Sequence, residues 1–168
     1  LIETAGAVLN AQDICKASNR VVAIAFGCED YINDLEGVHD SEGQSIYTAR
    51  AMIAMAARAN GVAPIDTVHI RVHDLQHLEE NLQLAKKLGF EGMLVLNPKE
   101  IPLVHQYFSP TDQEVADALE MIRLAKEAEE AGKGVAVVGN KFIGPPMVRA
   151  AEKVCLRQTL IEKKEKMQ

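Results

Sequence analysis

The chain of 168 residues contains no tryptophan, three tyrosines and four phenylalanines, and its 18 basic residues are outnumbered by 24 acidic ones. Binding a nucleic-acid backbone calls for a basic stripe, and stacking bases calls for interleaved aromatics. Neither is present, and a net charge of −6 argues against nucleic acid as a partner. The three cysteines, Cys15, Cys28 and Cys155, are far apart with no Cys-x-x-Cys pair. That spacing excludes a disulfide framework and fits buried thiols in a reducing compartment. No apolar run approaches the roughly 20 residues that span a bilayer. No cleavable signal opens the chain either, so no membrane partner is expected and the cytoplasm is the expected location.

What is present is enough for one core: 48% of the residues are hydrophobic. Helix and strand signals alternate. Ile2 reads as the end of a strand; Val8, Ala11, Ile14 and Cys15 follow at helical spacing, and Val21 to Phe26 forms a second apolar run. A polar loop is expected over 33–44, then a helix over 45–60 with Ile46, Ala49, Ile53 and Ala56 on one face and Gly61 as its stop. Ile65 to Ile70 reads as a strand. Asp74 reads as the N-cap of a helix ended by Gly89, and Met93 to Leu96 as a last short strand. The character changes near Ser109-Pro110. A capping box at Thr111 and Glu114 starts a long charged helix, Val135 to Val138 is extended, Gly139-Asn140 signals a turn, and Pro145-Pro146 opens a final helix. Alternating strands and helices predict a parallel sheet wound by right-handed crossovers. Only four strands precede the helical extension, whereas a (β/α)8 barrel takes eight and usually about 250 residues. Because the sequence starts at Leu1, in what reads as the end of a strand, further chain upstream is expected.

In such a sheet the strands' C-terminal ends share one face, so side chains there can converge. Glu3 and Asp30 each stand where an apolar run ends, one strand–helix period apart. Two hard oxygen ligands in a cleft point to magnesium held by one or two carboxylates, with positions left for substrate oxygens. Gly27 allows close backbone approach to a ligand. A Schiff-base aldolase would call for a lysine at a strand end, and none of the strands read here has one, so metal-assisted chemistry is the expectation. Cys28 reads as a packed thiol, and Arg50 as an anchor for its helix. His69, His73 and His77 recur every four residues but straddle a strand end and a helix, so they do not form a zinc set.

Leu1-Ile2-Glu3-Thr4-Ala5-Gly6, Phe26-Gly27-Cys28-Glu29-Asp30, Tyr47-Thr48-Ala49-Arg50 and Ile65-Asp66-Thr67-Val68 follow one another in this order. Leu88-Gly89-Phe90-Glu91-Gly92, Asn97-Pro98-Lys99-Glu100-Ile101 and Phe108-Ser109-Pro110 complete the series. Together they resemble the citrate lyase beta subunit family, within the HpcH/HpaI aldolase and citrate lyase superfamily. The resemblance implies an α/β fold: the second half of a (β/α)8 TIM barrel over 1–110, with a C-terminal helical extension over 111–168. It implies a magnesium-dependent lyase that breaks a C–C bond in a citryl- or malyl-type thioester of coenzyme A or an acyl carrier protein. A keto acid leaves and the thioester enolate is protonated. By the same resemblance Glu3 and Asp30 are the metal ligands, and Gly27, Cys28 and Glu29 receive the keto-acid carboxylate. The implied assembly is a homotrimer or hexamer, with other citrate lyase subunits as further partners.

The chain departs from the family pattern in three places. The upstream half-barrel is absent; Gly92-Met93 and Asn97-Pro98 replace Gly-Lys and the usual His-Pro; and Asn140-Lys141-Phe142-Ile143-Gly144-Pro145-Pro146 carries Gly144 where relatives have an aspartate that reaches a neighbouring subunit's site. A carboxylate placed for proton transfer contributes about 10² to 10⁴ in rate. With it gone the catalytic residue is unknown, and two alternatives to the lyase stand: a catalytically weak metal-binding or assembly component, and an acyl-CoA thioesterase.

Overall fold

The computed structural model describes residues 1–40, 42–132, 136–138 and 141–167. They form two compact units, Leu1–Phe108 and Ser109–Gln168.

The first unit is built on a parallel sheet. Ile2 bridges Phe26 beside β1 (Ala23–Ala25), β1 pairs with β2 (Ala63–Asp66), and β2 pairs with β3 (Gly92–Met93). The helices are α1 (Ala5–Leu9), α2 (Ala11–Lys16), α3 (Cys28–Asp34), α4 (Gln44–Ala59), α5 (Leu75–Leu88) and α6 (Ile101–Phe108). Ile2, Ile24 and Phe26 of the sheet bury against Ile53 and Ala57 of α4, with Leu78, Leu82 and Ala85 of α5 in the same core. Among the described residues, no helix is long and apolar enough to cross a membrane.

The elements follow the pattern read from the sequence, and their bounds differ for local reasons. One helix was expected after Glu3. Asn10 divides it into α1 and α2, because its side-chain amide donates to the Gly6 carbonyl at 2.8 Å and so competes with the helical ladder. The loop expected over 33–44 is shorter, since α3 runs on to Asp34. β2 starts two residues before Ile65 and includes Pro64 in the central strand. Proline fits because the flanking bonds to β1 are made by its neighbours: the Ala63 amide donates to the Val22 carbonyl at 3.0 Å, and Ile65 accepts from the Phe26 amide at 3.1 Å. The missing Pro64 N–H faces the other side, where pairing with β3 starts only at Ile65.

At the far end β2 stops at Asp66 instead of continuing to Ile70. The Asp66 carboxylate accepts from its neighbour's amide, Thr67 N, at 2.9 Å and turns the chain out of the sheet. The same carboxylate is gripped by Arg50 from α4, through Nε at 3.1 and 3.2 Å and through Nη2. Arg50 and Asp66 are 1% and 0% exposed. Burial pushes the Asp66 carboxyl up from its ordinary value, and the Arg50 guanidinium acts against that shift. Arg50 is thus the anchor that ties α4 to the sheet.

Other terminators match the sequence reading. Asp74 caps α5 by accepting from the His77 amide at 3.0 Å, and Gly89 ends it at φ 94°. In the second unit Thr111 and Glu114 form a capping box at the start of α7 (Asp112–Glu130). The hairpin strands β4 (Ala136–Val138) and β5 (Lys141–Ile143) pair antiparallel, and α8 (Pro145–Glu165) packs along α7 with Ala118 and Ala151 buried. The turn expected at Gly139-Asn140 lies outside the described residues.

Removing one partner of a buried ion pair leaves an uncompensated charge. Arg50→Ala is therefore expected to destabilise the protein by about 3–5 kcal/mol, read from urea or thermal unfolding. A loss below about 1 kcal/mol, the range of exposed pairs, would show that the pair does not anchor the helix.

Candidate functional site

The parallel Ile2–Phe26 bridge brings Glu3 and Gly27 out at the same end of the sheet, and the Gly27 amide donates back to the Ile2 carbonyl at 2.9 Å. The Glu3 side chain then lies directly over Gly27. A Cβ at residue 27 would stand 2.5 Å from Glu3 Cγ and 2.8 Å from its Oε1, closer than any real side chain tolerates. Glycine suits this position by space and not by backbone angle: a larger residue would need the Glu3 side chain to turn away, whereas a φ of −110° is open to any residue.

Gly27 is also the N-cap of α3, and without a side chain it cannot cap the helix. The Cys28 amide is served from the neighbouring strand, donating to Thr67 Oγ1 at 3.2 Å. Glu29 and Asp30 complete the first turn, where helix amides lack partners of their own. Glu29 pairs with His39 Nε2 at 3.1 Å. Asp30 is exposed and Glu3 half-buried, and among the described residues neither has a hydrogen-bond or ion-pair partner.

Two free carboxylates at adjacent strand ends, one lodged over a glycine, make a donor set that fits magnesium, which is held by one or two carboxylates and keeps several waters. No cluster of three or more His, Cys, Asp or Glu side chains suited to a metal is found among the described residues. Two of the three histidines are otherwise employed: a His69 ring nitrogen lies 3.1 Å from the Asp74 carbonyl, and the ring packs against His77 at a centroid distance of 5.1 Å.

Of the residues proposed to receive substrate, Gly27 and Glu29 lie at this corner, while the Cys28 side chain is buried. Burial pushes the Cys28 thiol up to about 11; the Thr67 hydroxyl acts against that shift, and the Glu29 carboxylate adds to it. The Cys28 thiol is buried and its amide is held by Thr67, so neither is open at the helix start. A cavity of about 190 Å³ opens beside it, lined by Glu29, Arg50, Thr67, His69 and Asn81 among others. Asp66 and Thr67 escaped the sequence reading because the strand was carried on to Ile70. An acid inside a β-branched run was the available signal. Gly144 lies in the second unit as the N-cap of α8, where an added Cβ would come within 2.6 Å of Phe142 Cε1.

This architecture, a parallel βα sheet with its acidic groups at the strands' C-terminal ends, is an α/β fold of the TIM-barrel type followed by a mainly helical unit. The chain belongs to the HpcH/HpaI aldolase/citrate lyase family, whose model matches residues 1–98. It is 36% identical over 153 residues to citrate lyase subunit beta of Leuconostoc mesenteroides subsp. cremoris, covering 91% of this chain and 51% of that protein. It is 29% identical over 171 residues to the mitochondrial citramalyl-CoA lyase of Rattus norvegicus, covering 97% and 51%. Among solved structures it resembles protein CitE from Mycobacterium tuberculosis in complex with magnesium, acetoacetate and coenzyme A. The TM-score is 0.73 and the identity 26%, over 93% of this chain and 58% of that one. A citrate lyase from Burkholderia xenovorans shares the fold, with a TM-score of 0.80 at 22% identity, over 96% and 52%. The chain spans about half the length of the curated relatives it matches.

Two outcomes follow from this geometry. If Glu3 holds magnesium in its present position, Gly27→Ala is expected to turn it away and weaken binding by about 10- to 100-fold; unchanged affinity in a calorimetric titration would show that this placement of Glu3 is not needed for binding. A thiol whose pKa is raised stays protonated until pH nears that value, and only the thiolate is nucleophilic. Cys28 is therefore expected to resist iodoacetamide at pH 8 in the folded protein and to react in urea, as read by peptide mass; rapid labelling of the folded protein would contradict its burial.

Proposed function

We propose that this protein is a magnesium-dependent C–C bond lyase acting on a hydroxyacyl thioester of the citryl or malyl type. The observation that carries the reading is the pair of unpartnered carboxylates, Glu3 just after the Ile2–Phe26 bridge and Asp30 in the first turn of α3, with Gly27 leaving room for the first. Glu3 and Asp30 would hold the metal, which supplies Lewis-acid polarisation of a substrate oxygen. The stretch from Gly27 to Glu29 at the start of α3 receives the keto-acid carboxylate, through the Glu29 amide, since the Gly27 and Cys28 amides are held by the Ile2 carbonyl and Thr67 Oγ1. There the positive end of the peptide dipoles favours an anion. The buried Cys28 thiol takes no part as a nucleophile. Relatives named as citrate lyase beta subunit and citramalyl-CoA lyase support the reaction class, and a neighbour complexed with magnesium and coenzyme A supports the cofactor and carrier. An assembly into trimers or hexamers in the cytoplasm belongs to the same proposal, with other citrate lyase subunits as candidate partners.

A second reading has its own observation. Gly144 supplies no carboxylate, and the Phe142 ring occupies the space a side chain there would enter. On that reading the protein binds metal and thioester with little turnover.

Incubation with citryl-CoA or malyl-CoA and magnesium is expected to release a keto acid, and Glu3→Gln combined with Asp30→Asn to abolish both magnesium binding and product. Absence of product with metal binding intact removes the lyase and leaves the weak relative. Free coenzyme A without C–C cleavage identifies a thioesterase.

A further inference from the structure

The first amides of a helix have no partner within it. At α3 the N-cap is Gly27, which has no side chain to supply one. The amide of the first helical residue, Cys28, is satisfied from across the sheet: it donates to Thr67 Oγ1, 39 residues further along the chain. Thr67 is itself held, because its amide donates to Asp66 Oδ1 at 2.9 Å and Asp66 is clamped by Arg50. All four residues, Arg50, Asp66, Thr67 and Cys28, are buried. The series runs from α4 through the end of β2 to the start of α3, and Asp30 stands in the same first turn as Cys28.

We infer that Thr67 is a positioning residue for the metal corner: its hydroxyl oxygen caps α3 across the sheet and, oriented by the Arg50–Asp66 pair, sets where Asp30 stands relative to Glu3. This rests on the assignment of Glu3 and Asp30 to the metal. Thr67 does not touch the ion. It acts through the helix that carries one of the ligands, by holding the amide of that helix's first residue.

Thr67→Val keeps the shape and removes the acceptor, and Thr67→Ser keeps the acceptor. Magnesium titrated calorimetrically into the protein is expected to bind Thr67→Val on the order of tenfold more weakly than the parent and Thr67→Ser nearly as well as the parent. Amide exchange at Cys28 is expected to quicken in the valine variant alone. Ile53→Val, which thins the core on α4 and leaves the four residues of the series in place, controls for general destabilisation; it should lower the melting temperature and leave affinity unchanged. Parent affinity in Thr67→Val, or an equal loss in Ile53→Val, overturns the inference while leaving the metal reading in place. A parent protein that binds no magnesium removes the metal reading, and this inference with it.

Discussion

The buried Arg50–Asp66 pair is the interaction on which the first unit depends. It fastens α4 to the central strand, ends that strand, and through Thr67 fixes the start of α3. A buried pair gives little net stability compared with a well-packed apolar contact, and losing either half is costly. Its worth here is geometric. Guanidinium and carboxylate meet in a planar fork that tolerates little rotation, so the end of β2 is located more sharply than apolar packing alone would locate it.

Much of the fold was legible in the sequence because its signals are local. Asp74, Gly89 and the Thr111–Glu114 box each act within four residues of themselves, and each does in the structure what its spacing implies. The alternation that predicted a parallel sheet is likewise local, being a property of each run. Bounds were less legible where a distant partner decides them. Whether Asp66 continues a strand or ends it depends on Arg50, and whether Pro64 can sit in a central strand depends on how far β3 extends.

The candidate site divides along the same line. Glu3 and Asp30 could be read off as the acids ending two apolar runs. Gly27 could be read as permissive, but the reason for it could not, since that reason is the path of the Glu3 side chain. Thr67 was invisible as a contributor because a threonine in a β-branched run looks like a strand former. The meaning of Gly144 comes from resemblance alone, and the structure adds that the exposed Phe142 ring would meet a side chain placed there.

The contact between Glu3 and Gly27 also makes change at this corner directional. A residue larger than glycine at position 27 meets Glu3 Cγ and Oε1 and is accommodated only by turning the Glu3 side chain away. Shortening Glu3, in contrast, asks nothing of Gly27. A change at 27 is thus felt at 3, and the position of this carboxylate can be altered without touching residue 3 itself.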